Sequence, residues 1–152
     1  LDRFLIRLSM GYPDHRSQIN ILRDRHSENP LDRVQPVVTK DELLQLVQET
    51  RNVEANDRIF DYVTTLAEAT RTHPMVELGV SPRGALALCR MAKAHAFLAG
   101  RDYAVPEDVA AVFPDVCAHR LILSAKARMM EEKAENILAE ILKSVDMPVL
   151  KA

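Results

Sequence analysis

Glycine is scarce in this chain of 152 residues, with four copies, and cysteine scarcer still, with two. So little turn punctuation argues against a fold of many short strands, and no window sustains period-two alternation beyond a few residues. Ala, Leu, Glu, Lys and Arg dominate instead, which makes helix the expected state nearly throughout. Cys89 and Cys117 make no CxxC pair and are not spaced with histidines as zinc ligands, so they read as free, buried thiols of a reducing compartment. Charge of one sign is missing too. A formal net charge of -2 and a pI of about 6.2 provide no global positive field for nucleic acid or an anionic membrane. Every long apolar run is broken by Arg, Lys or Asp before the length of a membrane span, and no charged-then-apolar leader opens the chain. The expected location is the cytoplasm. No GxxxxGK[ST] loop and no acidic metal-binding strand occur, so a phosphate cradle and Mg²⁺ ligands are lacking. Of His15, His26, His73, His95 and His119 no two stand at i, i+3 or i+4, which leaves no basis for a metal site.

What is present is one domain's worth of residues, 47% of them hydrophobic, ample for a core. The first residue is Leu, which suggests a chain cut from something longer. "FLIRLSMGYP" is short, apolar and bounded by Gly11 and Pro13, the pattern of a strand or strand remnant followed by a turn. Asp14 can cap a helix running to about Arg25 with Ile19 and Leu22 facing inward. Thr39 and Glu42 make a capping box for a helix whose Leu43, Leu46 and Val47 share a face. Asn56 or Asp57 starts a further helix carrying Ile59, Tyr62, Val63, Leu66 and Ala67. "RTHPMVELGV" interrupts, and a last helix is predicted from near Ser124 to Ser144, with Met130, Ala134, Ile137, Ile141 and Val145 as its apolar stripe.

The stretch "GVSPRGALALCRMAKAHAFLAG" holds the chemical anomaly. Ser81 and Pro82 start a helix, with proline where its missing N–H does no harm. Ala85, Cys89, Ala92 and Ala96 form a stripe of small side chains, Leu88, Met91, His95 and Leu98 a bulkier side, and Arg83, Ala87, Arg90 and Ala94 a third edge. Arg83 therefore stands in the first turn, where the helix dipole repels a cation. Unpaired backbone N–H groups, partial positive charge and a guanidinium together form an anion site that a phosphate would complete. Arg90 and Lys93 read as a solvated face. His95 reads as a packed side chain with one hydrogen bond, and His119 and Arg120 either as structural groups after the preceding helix or as contacts to phosphate or a partner.

In order, "LDRF" leading into "GYP", then "GVSPRGALAL", then "AFLAGRDYAVPEDV", then "HRLIL" and a tail ending "VDMP" resemble the lid-bearing part of MoxR-type AAA+ ATPases. The matching region of magnesium-chelatase ATPase subunits is similar. The resemblance covers nearly the whole chain. It implies a mainly α fold, a helical bundle with a short N-terminal strand remnant of an α/β ATPase core. Residues 1–30 would then be the end of that core and a connecting helix, and 31–152 the helical lid. It further implies that Arg83 is the sensor 2 residue, reaching the terminal phosphate of ATP on its own subunit, and that Arg3 is an arginine finger entering the neighbouring subunit's site. The implied cofactors are ATP and Mg²⁺ in the full-length parent, with none bound by these residues alone. The implied partners are the AAA+ core of the same chain, neighbouring subunits in a hexameric ring and a von Willebrand A-type protein, with no nucleic acid and no membrane. The implied role is chaperone-like assembly or activation.

Two departures from the family pattern bear on local structure. Val105 stands where Thr is usual, which removes the cap before Pro106, and Gly84 follows Arg83 where alanine is common, which loosens the first turn. Two readings without nucleotide chemistry compete. In a helix-turn-helix, residues 39–51 and 56–71 would bind a duplex, but the second helix carries Asp57, Asp61 and Glu68 and no basic face. In an interaction scaffold, the basic edge would meet an acidic partner.

Overall fold

A computed structural model describes residues 3–24 and 29–149. These fall into two compact units, one of residues 8–24 and 29–46 and one of residues 3–7 and 47–149. The fold class is mainly α, with a small antiparallel sheet of two strands set between helices in chain order.

The smaller unit carries α1 (His15–Asp24), a 3-10 turn (Pro30–Arg33) and the start of α2 (Lys40–Asn52). Both helices begin as the sequence predicts. Asp14 accepts from the Ser17 N–H at 2.7 Å. Thr39 and Glu42 exchange bonds, with the Thr39 N–H donating to the carboxylate at 2.7 Å and the Glu42 N–H to the hydroxyl at 3.2 Å. The inward faces are a different matter. Ile19 and Leu22 remain 41% and 66% exposed and α1 buries nothing; Leu43, Leu46 and Val47 on α2 are likewise exposed. Periodicity says which face would bury, and it cannot supply the surface that covers it.

The larger unit holds the core. α3 (Asp57–Thr72) is capped by Asn56, whose side chain accepts from the Ile59 N–H, and it buries Ile59, Tyr62, Val63, Leu66 and Ala67 as its spacing predicts. α4 (Pro82–Leu98) packs most extensively on α5 (Pro106–Cys117), and α7 (Ala134–Ser144) closes the bundle with Ile137, Leu138 and Ile141. Phe113, Leu66, Leu88 and Val109 meet at the centre with no exposed surface. Each such side chain contributes about 1.5–3 kcal/mol by leaving water. On α4 the buried side runs through Gly84, Ala87, Leu88, Ala92 and Ala96, while Leu98 is 85% exposed. The inward face thus lies between the small and bulky stripes, because α3 and α5 together, and not side-chain size alone, set the helix's rotation.

β1 (Val76–Leu78) pairs with β2 (Ile122–Leu123), with Val76 opposite Leu123, the first inside the "RTHPMVELGV" break and the second at the end of "HRLIL". The last helix is also not continuous. α6 (Ala125–Met129) stops, Glu131 takes a positive φ of 53°, and α7 begins afresh at Ala134. Met130 consequently leaves the apolar stripe and is 59% exposed. With neither Gly nor Pro at the break, the left-handed turn is closed by the Glu131 and Glu132 N–H groups, which donate to the Arg128 and Ala127 carbonyls at 3.2 and 2.9 Å. The N-terminal stretch read as a strand or strand remnant forms no strand among the described residues, having no neighbouring strand to pair with. Its residues 4–7 lie over the helices: the Arg7 N–H donates to the Asp115 carbonyl at 3.0 Å, and the Arg7 guanidinium meets Glu135 at 2.6 Å. No described helix is long and apolar enough to cross a membrane.

Candidate functional site

The start of α4 is held from behind by the end of α3. Thr70, fully buried, donates to the Ala67 carbonyl at 2.6 Å and accepts the Val80 N–H at 2.9 Å. Arg71 Nε donates to the Val80 carbonyl at 2.8 Å. Gly79 makes this approach possible, since a Cβ there would sit 2.7 Å from the Arg71 Cα and amide nitrogen. Ser81 then caps α4, its hydroxyl accepting from the Gly84 N–H at 3.1 Å, and Pro82 opens the first turn. Arg83 follows, exposed, with no hydrogen bond or ion pair to another described residue. A cation is thus presented from a rigid, capped helix start whose first turn contains no acid.

Gly84 has a physical reason. A Cβ there would lie 2.7 Å from Val80 Cγ1 and 3.0 Å from Arg120 Cδ, so the first turn has room for Arg120 only without a side chain. His119 and Arg120 form a buried 3-10 turn after α5. The Arg120 guanidinium donates to the Phe4 carbonyl at 2.6 Å, to the Leu5 carbonyl at 3.2 Å and to the Val116 carbonyl. His119 Nε2 lies 3.0 Å from the Phe4 carbonyl, and its Nδ1 is buried with no partner among the described residues. The pair is buried and bonded to the N-terminal segment, a contact that the sequence does not show. Arg3 itself is exposed, in a turn just before those anchored carbonyls. Arg3 and Arg83 do not touch; Arg120 connects the segments that bear them.

The hub of the opposite end escaped sequence reasoning. Asp108, 1% exposed in the first turn of α5, accepts two bonds from Arg101, at 2.6 and 2.7 Å. It also accepts the Val105 N–H at 2.8 Å and faces His95 Nδ1 at 2.7 Å. The Val105 side chain cannot cap α5, yet the helix begins at Pro106, because Asp108 supplies the reciprocal bond. Burial raises the carboxyl's pKa, but Arg101, the Val105 N–H and His95 outweigh it and hold the group at about 2. His95 makes the expected single bond, though its side chain is 45% exposed and not packed away. The signal that could have found the hub was the Arg101 and Asp108 spacing inside the "GRDYAVPEDV" block.

Burial pushes the Cys117 thiol up to about 12 against the opposing charge of Arg120, and raises Cys89 despite Lys93 and Arg90. Neither is poised as a nucleophile. No group of three or more His, Cys, Asp or Glu among the described residues could hold a metal ion.

Residues 68–141 match the AAA lid domain. Bacillus subtilis YeaC is 39% identical over 152 residues, covering all of this chain and 48% of its own length. Chaperone MoxR1 of Mycobacterium tuberculosis is 31% identical over 99% of the chain and 42% of its own length. Protein MoxR of Methylorubrum extorquens is 31% identical over 95% of the chain and 47% of its own. The crystal structure of a candidate ATPase from Cytophaga hutchinsonii superposes with a TM-score of 0.88 at 30% identity, covering 97% of this chain and 48% of that one. The chain thus spans about half the length of the relatives it matches. With the lid domain, the relatives across its length and the matching fold in agreement, the chain belongs to the MoxR-type AAA+ ATPases and forms their lid-bearing part.

Proposed function

We propose that this lid senses ATP through Arg83 and supplies Arg3 to a neighbouring subunit, so that nucleotide turnover moves the lid against an α/β core. The observation that carries the reading is the exposed guanidinium of Arg83 at the capped N-terminus of α4, unengaged by any other described residue. With the helix dipole beside it, that position favours an oxyanion strongly and a neutral ligand hardly at all. The γ-phosphate of ATP would complete it. ATP and ADP would then differ in contact with the lid, and that difference in affinity is what shifts its orientation. Phosphoryl transfer depends on positioning and on stabilising charge, and an arginine from the next subunit supplies the latter.

The phosphate cradle and the Mg²⁺ ligands would come from the part of the relatives' length beyond this chain. The assembly would be a cytoplasmic ring, hexameric by family resemblance, with a von Willebrand A-type protein as a further partner. A chaperone-like role takes its support from the name of MoxR1. The test is ATP turnover by the full-length polypeptide. Arg83→Ala should impair hydrolysis or its coupling to motion; unchanged turnover together with unchanged ATP affinity would overturn the assignment. Subunits with Arg3→Ala mixed with subunits unable to bind nucleotide should regain activity across their interface. If the defect instead follows Arg3 within its own subunit, its role in trans is wrong.

A further inference from the structure

Arg120 is buried, at 8% exposure, and removing a guanidinium from water is costly unless its donors are satisfied. Its partners include three backbone carbonyls, beside His119 Nε2 at 2.9 Å. Two of them, on Phe4 and Leu5, belong to the segment just after Arg3, and the third, on Val116, is in the last turn of α5. Phe4 and Leu5 lie in a bend, outside any ladder among the described residues, and this one side chain meets their carbonyls.

The other end of the same side chain reaches α4. A Cβ at Gly84 would stand 3.0 Å from Arg120 Cδ and 3.3 Å from Nε, so the stem of Arg120 lies against the residue that follows Arg83. One buried arginine therefore touches the immediate neighbour of each candidate nucleotide-contacting arginine. The N-terminal arm has no slack at its far end, where Arg7 is tied to Asp115 and Glu135.

We propose that Arg120 is a positioning residue that sets the reach of Arg3 by the orientation of the α4 start, so that occupancy of a subunit's own nucleotide site at Arg83 is passed to the arm presented to its neighbour. The inference rests on the roles assigned above to Arg3 and Arg83, and adds the link between them. Val80 and Gly84 move with α4; Phe4 and Leu5 move with Arg120; the contact at Gly84 joins the two.

The test is a double-mutant cycle in the full-length polypeptide, reading steady-state ATP turnover. Arg120→Lys keeps the charge but cannot span three carbonyls, and displacing Arg3 in this way should lower kcat by about a hundredfold with KM for ATP unchanged. In an Arg3→Ala background it should cost nothing further, because a misplaced finger and an absent one are equivalent. Hydrogen exchange at the Arg7 amide should quicken in Arg120→Lys, while amides of α3 and α5 keep their protection. An equal fold-loss in both backgrounds, with Arg3→Ala itself damaging, leaves the finger standing and overturns the positioning role. Unchanged turnover in Arg120→Lys does the same. If Arg3→Ala alone leaves turnover intact, it is the finger assignment that fails, and the link falls with it. Should Arg120→Lys lose protection throughout, Gly84→Ala, which crowds Arg120 Cδ without removing a donor, goes through the same cycle and decides by the same outcomes.

Discussion

Arg101 and Asp108 form a bidentate pair, 2.6 and 2.7 Å, that closes the loop between α4 and α5 over a carboxylate with 1% exposure. Both residues belong to the block that most specifically marks the family resemblance. That block is therefore a structural lock between α4 and α5.

Arg101→Met should destabilise the chain by about 3–5 kcal/mol, because it leaves the buried carboxylate with only the Val105 N–H and His95. Urea unfolding midpoints measure this. A loss below about 1 kcal/mol would mean that water reaches Asp108 and the pair is a surface one.

The same group sets a pH dependence. The folded-state pKa of Asp108 is held at about 2, below its ordinary value of 3.8, so its contribution is fully present above the unfolded value and is lost as pH falls through the folded one. Stability should decline between about pH 4 and pH 2 by about 2 kcal/mol from this residue. Asp108→Asn should lack that share of the slope; an identical acid limb in both proteins would refute it.

Gly79→Ala should cost about 1–3 kcal/mol although alanine is the easier residue to order, because the added methyl would meet backbone atoms of Arg71 at 2.7 Å. Thermal melts suffice as a readout. A neutral or stabilising result would show that α3 and the β1–α4 connection can separate cheaply.

Arg83→Glu should separate stability from activity. Replacing a cation by an anion in the first turn of α4 removes dipole repulsion and should stabilise the chain by about 0.3–1 kcal/mol. In the full-length polypeptide the same change should abolish ATP turnover. A variant destabilised by the change would show that Arg83 is a structural residue.

Thiol labelling should be graded. Cys117, with its pKa pushed to about 12 and its side chain buried, should react with iodoacetamide only as fast as the chain unfolds, and Cys89, partly accessible, should react first. Equal native-state rates would contradict the packing of the last turn of α5.

Local chemistry accounts for what was legible in these residues. Asp14, Thr39 with Glu42, Asn56, Ser81 and Ser124 each start a helix where expected, because a cap satisfies N–H groups two or three residues away. The core face of α3 was legible for the same reason, its period being carried within one helix. The unburied faces of α1 and α2 and the pairing of β1 with β2 were decided by packing or pairing between distant segments. Arg120 shows the limit most clearly. Its type and its position after α5 are written in the chain, but two of its partners, Phe4 and Leu5, lie more than a hundred residues away, and only the folded bundle brings the buried guanidinium to their carbonyls.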